Sequence, residues 1–185
     1  MSTTEQAVRI ETGSYNVDTV HSQVGFEVKH LGISTFRGSF GGFAGTVTVG
    51  ENGIEAIDGS IEVASVKVPE EKLTGHLLSP DFFDAGAHPQ GTFKSTSIET
   101  VDSEAYRVTG DLALRGVTKP AEVELEVEGA GIGMDGSSVL SFKAAGVINR
   151  EDYGISWGAT LDSGAAVVGE KVNLVITVEA VKAGE

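Results

Sequence analysis

The chain has no cysteine among its 185 residues. That excludes disulfides, thiolate nucleophiles and thiolate metal sites. Basic residues are scarce: 13 against 27 acidic ones leave a formal charge of −14. Nucleic acid is therefore a poor partner, because phosphate backbones are held by clustered Lys and Arg. Anionic membrane surfaces are disfavoured for the same reason. No window approaches the roughly 18 consecutive apolar residues of a spanning helix, so stable membrane insertion is not expected. There is also no Gly-x-Ser-x-Gly elbow, no phosphate loop ending in Gly-Lys-Ser/Thr, and no pair of histidines at helix-face spacing. Residues 1–13 are polar and acidic, without the basic start and apolar run of a signal peptide. They read as a flexible N-terminal arm ahead of a single domain over residues 14–185, and the expected location is the cytoplasm.

What the chain does have is glycine, 25 of them, and long stretches of strict alternation. Over residues 23–30 the side chains of Val24, Phe26, Val28 and His30 fall on one face of a half-buried strand. The next run places Phe36, Gly38, Phe40 and Gly42 on one face, a spacing that suggests a groove between aromatic rings. Across Gly41 and Gly42 the apolar phase slips by one residue, so that Phe43, Val47 and Val49 are in register, which predicts a β-bulge. Strands are also predicted over residues 14–20, 54–68, 90–101, 105–115, 122–128, 138–148 and 170–181. Glu51, Asn52 and Gly53 form a hairpin turn, and Asp58-Gly59 marks a further bulge or bend. Residues 116–120 read as a turn and the glycine-rich residues 129–137 as a connecting loop. One short helix opens at Pro69, favoured at a first helical position with acids in the first turn, and ends near Ser79. About eight long strands and one helix give an all-β chain, an antiparallel barrel or sandwich. An eight-stranded barrel is wide enough to hold one small ligand. Small residues at the inward positions Gly38, Gly110, Ala144 and Gly146 favour a hollow barrel over a filled one.

Six motifs occur in order along the chain: His21-Ser22 with Val24-Gly25-Phe26 and Lys29-His30-Leu31-Gly32; His76-Leu77 with Asp81-Phe82-Phe83-Asp84; His88-Pro89 with Thr92-Phe93-Lys94-Ser95-Thr96; Gly110-Asp111-Leu112; Gly116-Val117-Thr118-Lys119-Pro120; and Ile148-Asn149-Arg150-Glu151-Asp152-Tyr153-Gly154. Together, over roughly residues 15–181, they resemble the YceI-like, polyisoprenoid-binding family. The resemblance implies a lipocalin-like antiparallel β-barrel with a helix on its outside or near its mouth. It also implies one long isoprenoid or quinone-like lipid in the barrel, often in a homodimer, with no established catalytic activity. Many members carry a signal peptide and work in the periplasm, a location that this N-terminus does not suggest.

The expected function is non-catalytic binding, storage or transport of one long-chain isoprenoid lipid, with no cofactor and no metal. The alternatives are an isomerase- or cyclase-type enzyme using His30 with an Asp or Glu, and a ligand-free interaction scaffold with a filled barrel. The expected ligand contacts are Phe26, Val28 and His30, then Phe36, Phe40 and Phe43, the pair Phe82 and Phe83, and Leu112, Leu114, Phe142, Ile148 and Trp157. His30 is read either as the polar handle for a head group inside the cavity or as a buried, satisfied histidine. His21 reads as a cap or turn residue, and Phe82 and Phe83 either gate the mouth or pin the helix. Asp81 and Asp84 suggest turn capping, and Arg150, among acids and the only arginine in the last third of the chain, suggests a structural ion pair first and a head-group ligand second. Lys67, Lys72, Lys94, Arg115 and Lys119 are scattered, which favours a neutral head group over a diphosphate.

Overall fold

A computed structural model describes residues 9–184. Within it the alternating segments become eleven strands: β1 (Gly13–Val17), β2 (Gln23–His30), β3 (Ser34–Phe40), β4 (Phe43–Gly50), β5 (Gly53–Glu62), β6 (Val66–Lys67), β7 (Gln90–Thr100), β8 (Ala105–Leu114), β9 (Val117–Ile132), β10 (Ser138–Asn149) and β11 (Val168–Lys182). One helix, α1 (Glu71–Leu78), lies between β6 and β7. Among the described residues no helix is long and apolar enough to cross a membrane.

All strand pairs are antiparallel and run in the order β1-β4-β5-β7-β8-β9-β10-β11, with β11 returning to β1. The sheet therefore closes into an eight-stranded barrel. Two of its eight staves are each made of two pieces. The first part of β11 pairs with β2, from Val172 opposite Val28 to Thr177 opposite Gln23. Its last part pairs with β1, from Ala180 opposite Val17 to Lys182 opposite Tyr15. In the same way β3 pairs with β2, while β4 pairs with β1 and β5. Alternation decides which way each stave faces: along β9, Ala121, Val123, Leu125 and Val127 are buried while Glu122, Glu124, Glu126 and Glu128 are exposed. One end of the barrel is filled by Tyr15, Val47, Ile54, Tyr106, Val108, Leu125, Leu140 and their neighbours. A second buried cluster, Phe40, Val66, Leu77, Phe82 and Ile155, lies where α1 meets the barrel.

The fold departs from the sequence expectations at several places. β1 stops at Val17, because Asp18 turns the chain: its Oδ1 accepts the Val20 N–H at 2.8 Å and its own N–H donates to the Glu179 carbonyl at 2.8 Å. The phase slip at Gly41-Gly42 is a strand break at which the chain changes partners. The irregularity in the β4–β5 ladder falls between Thr48 and Val49, and pairing is continuous through Asp58 and Gly59. The long strand expected over residues 54–68 ends at Glu62, and a 3-10 turn (Val63–Ser65) leads into β6. Pro69 is not in the helix, since an extended Glu70, without a side-chain cap, separates it from α1. The turn expected over residues 116–120 shrinks to Arg115 and Gly116, both left-handed at φ 50° and 73°, the geometry of a two-residue hairpin. Pro120 lies inside β9, in a stretch that pairs with β8 before β10 joins at Val123, so one edge needs no N–H there. The glycine-rich residues 129–132 continue β9 opposite residues 138–141, with a register shift at Ser141/Phe142 that leaves Glu128 as the extra residue of a bulge. Glycine lacks a side chain, not the backbone groups that make a ladder.

Residues 1–8 of the expected arm lie outside the described residues. Glu11 is tied to the barrel, accepting from Lys182 Nζ at 2.7 Å and from the Ser138 hydroxyl. These two bonds, Lys182 first, hold its carboxyl below the usual range.

At the break between β1 and β2, His21 Nδ1 lies 2.8 Å from Asp18 Oδ2 and 3.7 Å from Glu179 Oε1 on β11. The hydrogen bond from His21 holds Asp18 low, and the same bond, helped by the charges of Asp18 and Glu179, raises His21. A raised histidine contributes stability below its ordinary value of about 6.5 and loses it as pH rises through the raised value. A depressed carboxyl contributes above about 3.9 and loses it as pH falls through the lowered value. The melting-temperature gap between the wild type and His21→Gln is therefore expected to be widest near pH 5.5, and to shrink toward pH 9 and below pH 3. A gap that does not vary with pH contradicts the assignment.

Candidate functional site

Between the filled end and the α1 end the barrel is hollow. The cavity has a volume of about 680 Å³. All thirteen residues expected as ligand contacts line it: Phe26, Val28 and His30 from β2; Phe36 and Phe40 from β3; Phe43 from β4; Leu112 and Leu114 from β8; Phe142 and Ile148 from β10; and Phe82, Phe83 and Trp157 from the loops. Leu174 and Ile176 of β11 add to the wall, and Leu73, His76 and Leu77 of α1 face it from outside the ring. Exposed lining residues gather at the β2–β3 hairpin, with Lys29, His30 and Ser34, and at Glu70 just before α1, and mark a mouth; the others, Ala44, Thr46, Asp58 and Thr92, lie along β4, β5 and β7.

The hollow does not come from the glycines that alternate with aromatic residues. Gly38 sits directly opposite Phe26, and a Cβ there would fall 2.4 Å from Phe26 Cζ. The blank at Gly38 is the seat of that ring and leaves no groove between rings. Gly110 serves Phe93 in the same way, with Cζ at 2.4 Å. The free space is over Gly59, which pairs with Gly45, and where an added Cβ meets nothing nearer than the Ala44 carbonyl at 3.8 Å.

The loop after α1 closes the second end with aromatic rings. Phe83 packs 5.7 Å from Phe40 and 6.5 Å from Phe26, centroid to centroid. Phe82 lies 5.4 Å from Trp157, and His76 stands edge-on to both at 4.9 Å. Both phenylalanines thus pin the helix and its loop to the barrel. The capping expected of Asp81 and Asp84 is carried by Ser79, whose hydroxyl donates to the His76 carbonyl at 2.6 Å and accepts the Asp81 N–H at 3.3 Å. Asp81 instead faces His76 Nε2 at 3.0 Å. Arg115 ties this loop across the barrel, donating to the carbonyls of Pro80 and Gly154 at 2.7 Å each.

Two polar residues are placed differently from expectation. His30 is exposed at the end of β2, and its ring makes no hydrogen bond among the described residues. It is a rim residue, neither a handle inside the cavity nor a buried, satisfied histidine. Arg150 makes no ion pair among the described residues. It is 6% exposed, and its guanidinium donates to the carbonyls of Gly169, Ile155 and Trp157 at 2.8 Å each and of Val168 at 3.2 Å. The acids beside it, Glu151 and Asp152, face solvent. Next to it, burial raises the Tyr153 phenol above its ordinary value. His76, Tyr153 and Ile155 line the cavity with no motif in the sequence that points to it, and Arg150 lines it too, the place expected of it only after an ion pair. The isolation of that one arginine in the last third of the chain was the available signal. The histidines do not converge: Asp18, His21 and Glu179 bring three donor atoms within 4.8 Å of one another, but they do not line the cavity.

A model of the YceI-like domain matches residues 15–180. Protein YceI of Escherichia coli O157:H7 is 37% identical over 164 residues, covering 88% of this chain and 82% of that protein. The crystal structure of a Campylobacter jejuni YCEI protein superposes with a TM-score of 0.74 at 31% identity, over 90% of this chain and 96% of that one. A domain from Saccharophagus degradans described as polyisoprenoid-binding gives 0.69 at 12% identity, over 94% of this chain and all (100%) of that one, and shares the fold.

The two kinds of glycine separate in stability. Gly38→Ala forces the Phe26 ring to move and is expected to cost about 1–3 kcal/mol by overpacking, whereas Gly59→Ala is expected to be close to neutral. Urea unfolding of both variants checks this, and equal losses would contradict the placement of the free space.

Proposed function

The chain belongs to the YceI-like family, and on that premise we propose that it binds one isoprenoid-type or quinone-like lipid chain in its barrel, without catalysis, as a store or carrier. The observation that carries this reading is the cavity of about 680 Å³ walled by aromatic and aliphatic side chains of the strands and the α1 loop. Pockets for small ligands are of this size and character. The polyisoprenoid-binding description of the Saccharophagus degradans domain supports the same ligand class. A water occupies about 30 Å³ of liquid and a methylene is of similar size, so the cavity holds on the order of twenty chain atoms, or roughly four isoprene units. Each buried methylene contributes about 0.8 kcal/mol before ordering costs, so affinity should climb with chain length until the cavity is full.

The two rival readings fit less well. An isomerase or cyclase working through His30 would need a carboxylate beside that ring, and His30 has no such partner among the described residues. A filled scaffold would not leave this volume inside its barrel.

Trp157 is the one tryptophan of the chain and lines the cavity, so its fluorescence reports occupancy. Detergent-free protein titrated with prenylquinones of one to nine isoprene units is expected to show saturable quenching at one ligand per chain. Affinity should rise to about four units and then level. Gly59→Leu projects a side chain into the free space and should weaken the longer quinones about tenfold, equal to about 1.4 kcal/mol, while the melting temperature holds. Absence of saturable quenching across the series sinks the reading.

A further inference from the structure

We propose that the Arg150 guanidinium is the head-group anchor of this cavity and that it selects a lipid ending in a single acidic oxygen group, a carboxylate. The inference rests on reading the cavity as a lipid site, and adds the chemistry of the end that the chain presents at the mouth.

A guanidinium carries five N–H donors. Four are used here: Nε on the Gly169 carbonyl, Nη2 on the Val168 carbonyl, and both Nη1 hydrogens on the Ile155 and Trp157 carbonyls. One hydrogen on Nη2 has no partner among the described residues. Carbonyl dipoles satisfy hydrogen bonds without neutralising charge, and no carboxylate of the described residues lies within ion-pair distance of Arg150. A buried cation without a counter-charge is costly and gains strongly from an anion brought to it. A bond to a charged oxygen is also roughly twice as strong as one to a neutral acceptor.

The position suits a head group. Arg150 lines the cavity. Val168, whose carbonyl takes one Nη2 hydrogen, is paired with the rim residue His30. Gly158 is exposed, and a Cβ there would lie 3.5 Å from Nη2, so the guanidinium end lies beside a surface position with no side chain. A tail lying in the barrel would leave its head at this spot. One guanidinium matches one negative charge. A diphosphate would bring more charge into a chain that already carries −14. The neutral head group suggested by the scattered lysines is replaced here by an acidic one, because the decisive cation is buried and single.

The test uses three fifteen-carbon isoprenoids with one chain: farnesoic acid, its methyl ester and farnesol, titrated calorimetrically at pH 8 in low salt. The acid is expected to bind at least tenfold more tightly than the ester or the alcohol. Substituting Arg150 itself would strip four carbonyls of their donor, so the informative variant is Gly158→Asp. It places a carboxylate beside Nη2 and supplies the missing counter-charge from within. In that variant the preference for the acid should fall to within twofold while the ester binds as before. Equal binding of acid and ester to the wild type overturns the inference and leaves the lipid reading standing, as does a tenfold preference that survives in Gly158→Asp. Failure of all three to bind removes the lipid reading and this inference with it.

Discussion

The hydrogen-bond ladder along β11 is the constraint on which the rest of this molecule depends. On one edge it meets β10 from Val139–Val181 to Asn149–Lys171 without a break. On the other edge it holds β2 and then β1, two pieces of chain separated by the turn at Asp18. Those last few pairs with β1 turn an open sheet into a barrel. A closed barrel has no unpaired edge to cover, and only a closed barrel has an inside. Ser22 reinforces the seam where the partner changes, its hydroxyl accepting from the Glu179 N–H at 3.0 Å and donating to the Glu179 carbonyl at 3.2 Å.

Closure by itself gives a packed core, as the end around Tyr15, Leu125 and Leu140 shows. The hollow arises because the chain leaves the barrel between β5 and β7. Residues 63–89 form β6, α1 and the Phe82-Phe83 loop outside the ring. Their rings come in over the other end against Phe26, Phe40 and Trp157. Aromatic residues held at that end, and Gly59 along the wall, where an added Cβ would meet nothing nearer than 3.8 Å, leave that space open. The same detour places His76 beside Trp157, and the 3-10 turn after β10 brings Arg150 to the cavity. Apolar volume and a single buried charge thus come from different parts of the chain.

Much of this architecture was legible in the residues. β2 and the glutamate-studded part of β9 alternate so strictly that both their extent and their inward faces follow from the order of side chains. What could not be read depended on partners distant in sequence. Residues 129–132 look like a loop because glycine has low strand preference, yet a ladder to β10 needs only backbone. Pro120 looks like a turn because its missing N–H is costly only where a second strand lies alongside. The face carrying Phe36, Gly38 and Phe40 was read correctly, but whether a glycine means empty space or the seat of a neighbour's ring depends on register, and register placed Phe26 over Gly38. In sequence Arg150 stands beside acids, whereas its partners are carbonyls at residues 155–169 that only the fold brings round it.

The central claim is that the hollow between the two buried clusters exists to hold one lipid chain. It is tested most directly by purifying the protein without detergent, extracting it with organic solvent and identifying the extract by mass spectrometry, beside an intact native mass. The account predicts one apolar chain of isoprenoid type per protein molecule, present in the native mass and lost on extraction. A native mass equal to the bare chain, in a protein that takes up no added isoprenoid, would contradict it.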